Sequence, residues 1–145
     1  GIEMELTKER IKNEMADCPN FYNVFYKCDD YLKKLFFKLT IDISKYSCNK
    51  GSYVKNMKDT GFRFEKPYTT GRKNQNYCML TLKPQFNSID VFVRTDRIPI
   101  DSQVLELNNI GNRFNGGFEW YKFSVRDEGD IAEAVRIASI LYKYD

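Results

Sequence analysis

"YCMLTLK" (77–83), "PQFNS" (84–88) and "IDVFVRT" (89–95) follow one another without a gap, and their reading decides the fold. Apolar and polar residues alternate in the first and last of these segments, the rhythm of a strand with one buried face. The five-residue connection between them fits an antiparallel hairpin. Alternation also sorts the side chains: Cys78, Leu80, Leu82, Ile89, Val91 and Val93 take one face. A third strand, "EWYKFSV" (119–125), adds Tyr121, Phe123 and Val125 to it.

Outward from the hairpin, "FRFEKPYTTGR" (62–72) reads as an earlier strand broken by Pro67, which makes about four strands. "RDEGDIAEAVRIASILYKYD" (126–145) reads as a closing helix. Asp127 is placed to accept its first amides, and Ile131, Val135, Ala138 and Leu141 form a stripe that suits the sheet. On the other side, "TKERIKNEMAD" (7–17) predicts a short helix from Thr7, ended by Pro19. "YLKKLFFKLTIDISKY" (31–46), behind Asp29 and Asp30, repeats Leu32, Leu35, Phe36, Leu39 and Ile43 at helical spacing. Residues 96–117 read as a long connection with a helical turn at "DSQVLEL" (101–107). The fold class that follows is α+β: a single domain over 1–145, helical over 1–46, with a mainly antiparallel sheet and its closing helix over 62–145.

At 145 residues, 42% hydrophobic and 30% charged, the chain has the composition of one globular domain. No apolar run approaches a membrane span and no secretory signal is visible, so a cytoplasmic protein without membrane partners is expected. Gly1 ahead of "IEMEL" has the form of a residue left by tag cleavage, which leaves a longer parent chain open. Cys18, Cys28, Cys48 and Cys78 contain no C-x-x-C pair and the chain has no histidine, so buried thiols are expected and a zinc site is not. No cofactor is expected either. Charge is uneven: residues 27–73 hold 12 Lys and Arg against 5 Asp and Glu, and the remainder 11 against 15. An anionic partner or solvated helix faces both fit such a basic segment.

Several features of the second half go together: "NQNYCMLTLK", "IDVFVRT", the Gly- and Asn-rich "NNIGNRFNGG", "EWYKFSV", and a helix ending in "IASILYKY". In these, residues 68–144 resemble a small bacterial and archaeal domain of unknown function, sometimes labelled a predicted transport protein. The strand–strand–strand–helix plan is shared with YjbR-like and other double-wing domains. That family often stands at the C-terminal end of restriction- or nuclease-related proteins. The resemblance implies an α+β fold and an accessory, non-catalytic role, within a restriction or defence system. Its glycine loop usually carries His and Trp, where this chain has "GNRFNGG", so no role passes to a histidine here.

Without histidine, Ser–His and Cys–His nucleophiles are excluded, along with the commonest general base. "GNRFNGG" (111–117) lacks the Lys-Ser/Thr of a phosphate loop and precedes a strand, so its glycines read as turn residues adopting positive φ. A two-carboxylate metal nuclease wants Glu and Lys on one strand face, but Glu119 and Lys122 are three apart and point to opposite faces.

The second sheet face receives Tyr77, Met79, Thr81 and Lys83, then Asp90, Phe92 and Arg94, then Trp120 and Lys122. Rings interleaved with cations are what a single-stranded nucleic acid needs, because bases stack on rings while cations meet phosphates. The N-terminal helices also need an apolar surface, so they are expected to cover part of this face. The remaining part, with Arg72, Lys73 and Arg113 at its rim, is the candidate nucleic-acid surface. Its residues are Arg72, Lys73, Tyr77, Lys83, Phe92, Arg94, Arg113, Trp120 and Lys122, with no catalytic or metal-binding residue among them. Two rivals stand beside it. One is a protein-interaction or oligomerisation module docking through Ile98, Ile100 and Leu105 of the long connection. The other is a small-ligand sensor, which would need a deep pocket between the loop and the sheet, or a metal-dependent nuclease.

Overall fold

The computed structural model describes residues 6–47, 51–53, 61–66, 75–114 and 119–142. Three helices come first: α1 (Lys8–Met15), α2 (Pro19–Tyr26) and α3 (Asp30–Ser44). The Thr7 hydroxyl accepts from the Arg10 amide and the Asp29 carboxylate from the Leu32 amide, so each cap anticipated from the sequence satisfies an otherwise orphaned donor. Pro19 both stops α1 and starts α2, occupying a first-turn position where its missing N–H costs nothing. The aromatic run "NFYNVFYKC" is therefore mostly helix.

Among the described residues six strands follow: β1 (Gly51–Tyr53), β2 (Gly61–Lys66), β3 (Gln75–Lys83), β4 (Ser88–Arg94), β5 (Asn108–Gly111) and β6 (Trp120–Val125), before the closing helix α4 (Glu128–Tyr142). The sheet is antiparallel in every pairing, with order β1-β2-β3-β4-β6-β5. Its four inner strands are those legible in the sequence, and the short β1 and β5 extend it at the two edges. The β3–β4 hairpin turns through a single 3-10 turn at Pro84–Phe86 and a left-handed Asn87 (φ 49°), a conformation Asn tolerates well. At the start of α4 the Asp127 side chain accepts from the Asp130 amide, while the Asp130 carboxylate accepts from the Arg126 amide. No helix of the described residues is long and apolar enough to cross a membrane.

The four helices of the described residues lie on the same side of the sheet. Phe36 of α3 meets Phe62 of β2 edge-on at 6.0 Å. Ile131, Ile137 and Leu141 of α4 share one continuous core with Leu80, Val91 and Phe123. The expectation that N-terminal helices cover the second face is corrected: they pack beside α4 instead. The reason is area. A six-stranded sheet is wide enough for a full helix layer, and Phe62 and Phe64 of β2 supply apolar surface beyond the reach of α4.

Further expectations are revised in detail. No helix forms over 101–107; the Ser102 hydroxyl accepts from the Val104 and Leu105 amides and donates to Glu133 on α4, closing a bend instead. Leu105 is buried and Ile98 and Ile100 pack against the core, so these three do not form an outward docking surface. Cys18, Cys28 and Cys78 are buried as expected, whereas Cys48 lies outside the described residues. Burial pushes the Cys28 thiol up to about 11 and raises that of Cys78 as well.

Candidate nucleic-acid interface on the outer sheet face

The register sets out the second face row by row. Arg63, Met79, Phe92, Lys122 and Asn108 are successive cross-strand partners from β2 to β5. Gly61, Thr81, Asp90 and Ser124 form the next row, and Arg94 stands opposite Trp120. The alternation read from β3, β4 and β6 is thus the alternation observed, with one exception at Tyr77.

Tyr77 is the extra residue of a bulge. Phe64 pairs with Cys78 and Glu65 with Asn76, so Tyr77 has no partner on β2 and the pleat skips a step. Its side chain is fully buried against the helix layer, in ring contact with Tyr142 of α4 and hydrogen-bonded to the Ser47 hydroxyl just beyond α3. The expected place of Tyr77 on the second face is therefore corrected, because strict alternation has no allowance for an inserted residue.

Arg94 is likewise buried, at the end of the sheet. Its guanidinium grips Asp96 through Nε (2.9 Å) and Nη2 (3.3 Å) and donates to the Asn76 carbonyl at 2.6 Å. Lys66 reaches the same carboxylate at 2.7 Å and donates to the Leu141 carbonyl near the end of α4 at 2.8 Å. Burial is the largest influence on the Lys66 ammonium and lowers its pKa, although Asp96 pulls the other way. This cluster locks strand ends to helix. Asp96 and Arg97 both have positive φ (50° and 67°), and the double ion pair fixes the chain in that unusual turn.

What remains on the outer face is smaller and differently centred than the sequence suggests. Phe114, in the β5–β6 connection, lies over the sheet. Its ring meets Phe92 at 5.3 Å and Trp120 at 5.1 Å, both nearly perpendicular. Trp120 is only 3% exposed beneath it, whereas Phe114 is 39% exposed. Among the described residues the Trp120 indole N–H has no acceptor, an arrangement that costs about 1–3 kcal/mol where a buried donor stays unpaired. A shallow hollow of about 240 Å³ opens beside the rings, lined by Arg63, Met79, Thr81, Lys83, Phe92 and Phe114 along with Gly61. That is below the roughly 300–1,000 Å³ of ordinary ligand pockets and has room for little more than one ring.

Lys122 lies 3.5 Å from Asp90, whose carboxylate also accepts from Ser124, so this cation is partly neutralised where it stands. Lys83 and Arg113 form no ion pair among the described residues, and Arg113 is exposed directly before Phe114. Arg72 and Lys73 lie outside the described residues. Glu119 accepts from Asn109 and is not brought to Lys122. The structure thus brings Lys83, Phe92, Trp120 and Lys122 onto one face with Arg113 in the connection above it, and removes Tyr77 and Arg94. Phe114 and Arg63 are the residues missed. The alternation of "FRFEK" carried the signal for Arg63, opposite in parity to Phe62 and Phe64; nothing local signals Phe114.

No family model matches the chain, and neither a curated protein nor a solved structure matches it. The functional reading therefore stands on these residues and their geometry.

Proposed function

We propose that this domain is a non-enzymatic binding module that contacts single-stranded nucleic acid through its outer sheet face. The observation that carries the reading is the ring ladder Phe92–Phe114–Trp120, capped by a part-exposed Phe114 and bordered by Lys83, Lys122 and Arg113. Rings supply sequence-tolerant stacking and the cations meet phosphates, while the sheet holds both at fixed spacing. An accessory role in a restriction or defence system, as the resemblance of residues 68–144 implies, agrees with such a surface.

Anisotropy titrations with labelled single-stranded and duplex oligonucleotides at several salt concentrations test the reading. Three phosphate contacts give a slope of log K against log salt of roughly −2 for a single strand. Single strands should bind more tightly than duplex, and Phe114→Ala should weaken binding more than it weakens the fold. Absence of binding at low salt, or binding without a salt slope, removes the proposal.

A further inference from the structure

The helix layer carries a second feature of basic and aromatic character, remote in sequence from the strands that form the outer sheet face. A groove of about 740 Å³ runs between α1, α2 and α3, lined by Lys8 and Lys12 of α1, Tyr22 and Tyr26 of α2, and Lys33 and Lys34 of α3. Its volume falls within the range of small-molecule sites. Lys8 and Lys12 are four apart and so share a helix face. Among the described residues Asp30 is the only acid in the lining. None of the four lysines has a carboxylate partner among the described residues.

Two of the ammonium groups, those of Lys8 and Lys33, are placed by rings instead. Lys8 Nζ lies 5.1 Å from the centre of Phe37, and Lys33 Nζ lies 5.4 Å from the centres of both Phe25 and Tyr26. Such contacts position a cation without cancelling its charge. The Tyr22 hydroxyl donates to that of Tyr26 at 3.1 Å, which leaves the Tyr26 proton to donate outward. Tyr26 is 62% exposed and Tyr22 38%, so both present ring surface on which a flat partner can stack.

We infer that this groove binds a small phosphorylated ligand with an aromatic ring, of the nucleoside diphosphate class. The four ammonium groups meet the phosphates, the exposed tyrosines take the base, and Asp30 accepts from a sugar hydroxyl or a base amino group. Charge complementarity together with exposed rings selects this class over a purely anionic one, since bare phosphate would leave Tyr22 and Tyr26 uncovered. The site is independent of the outer sheet face, so either proposal can fail alone.

Calorimetric titration of the whole chain with ADP tests it, with inorganic pyrophosphate, a polyglutamate peptide and oligo-dT as competitors. ADP should bind. Lys12→Glu combined with Lys33→Glu should weaken it by about tenfold or more, as expected for loss of charge-assisted contacts. Tyr26→Ala should weaken it by roughly threefold to tenfold, in line with loss of one stacking ring. Lys83→Glu, on the sheet face, should leave it unchanged. All these side chains are at least partly exposed, and a melting curve for each variant separates lost binding from lost fold. No heat with ADP overturns the inference. So do equal affinity for pyrophosphate, tighter binding of polyglutamate, or tighter binding of oligo-dT that the groove substitutions abolish.

Discussion

Two charge pairings of the described sheet residues differ in almost every respect except their chemistry. At the sheet end, Lys66 and Arg94 share Asp96 with side chains 0%, 2% and 5% exposed, and further bonds run to the Leu141 and Asn76 carbonyls. On the outer face, Lys122 meets Asp90 at 3.5 Å with its own side chain 39% exposed. Desolvation makes the first pairing obligatory: once the cations are buried, their carboxylate must be there. Water around Lys122 makes the second less binding on the cation, although Asp90, its side chain only 10% exposed, relies on Ser124 once Lys122 turns to another anion. Sequence position does not distinguish the roles, since Arg94 and Lys122 stand on adjacent strands with the same parity. Burial does.

The largest effect that would break this contrast is expected at Asp96. Asp96→Ala removes the carboxylate both buried cations share and should destabilise the fold by about 3–5 kcal/mol. At roughly 2–4 °C per kcal/mol for a chain of this size, the melting temperature falls on the order of 10 °C. A fall of a degree or two in a thermal melt would place the cluster with ordinary surface pairs.

Next in size is a pH effect from the buried thiols. The Cys28 thiol, with an ordinary value of 9.0, is raised to about 11 by burial. Between these values the unfolded chain has lost a proton that the folded chain keeps, so the stabilisation is complete below pH 9 and is lost as pH rises toward 11. The sum is on the order of 2 kcal/mol. Lys66 acts with the opposite sign: its lowered pKa means that the unfolded chain holds the proton longer, so stability rises as pH climbs toward 10.5. Comparing denaturant unfolding of the wild type and Cys28→Ala isolates the thiol, because Lys66 is common to both. Their difference in stability should shrink across pH 9–11; a constant difference would mean that Cys28 titrates as an exposed thiol.

Phe114 stands between the two regimes. It is more exposed than Trp120 yet forms its cover, so Phe114→Ala should cost about 1–2 kcal/mol through the loss of two ring contacts. The same substitution should red-shift the emission of the single tryptophan and make it accessible to a quencher. Unchanged emission would show that something other than Phe114 buries Trp120.

What was legible in the sequence was local. The caps at Thr7, Asp29 and Asp127 follow from side chains that reach amides three residues on, and each is found bonded. The pairing of β3 with β4 follows from alternation and a short connection. Helix α2 was harder, because Pro19 reads equally as a stop and as a first residue. Tyr77 could not be read at all: it is itself the extra residue of a bulge opposite the Phe64–Glu65 step of the neighbouring strand, which turns it inward, and nothing in "NQNYCML" announces it. The site suffered from the same limit on a larger scale. Whether helices cover a sheet face is decided by which surface is wider and more apolar, a property of the assembled layers and not of any segment.

The smallest expected effect on stability is the one most informative about function. Lys122→Ala removes an ion pair whose lysine is open to water while its Asp90 side chain is 10% exposed; at 3.5 Å it is worth roughly 1 kcal/mol or less, and Asp90 keeps its bond from Ser124. The melting curve should hardly move. Affinity for single-stranded nucleic acid should nevertheless drop and the salt slope become shallower by roughly 0.7, the share of one phosphate contact. Asp90→Asn sharpens the point from the other side, since it releases Lys122 from its carboxylate and should raise affinity. If instead Lys122→Ala destabilises the fold as much as Asp96→Ala does, the outer pairing is structural, and the distinction between a locked and an exchangeable cation disappears with it.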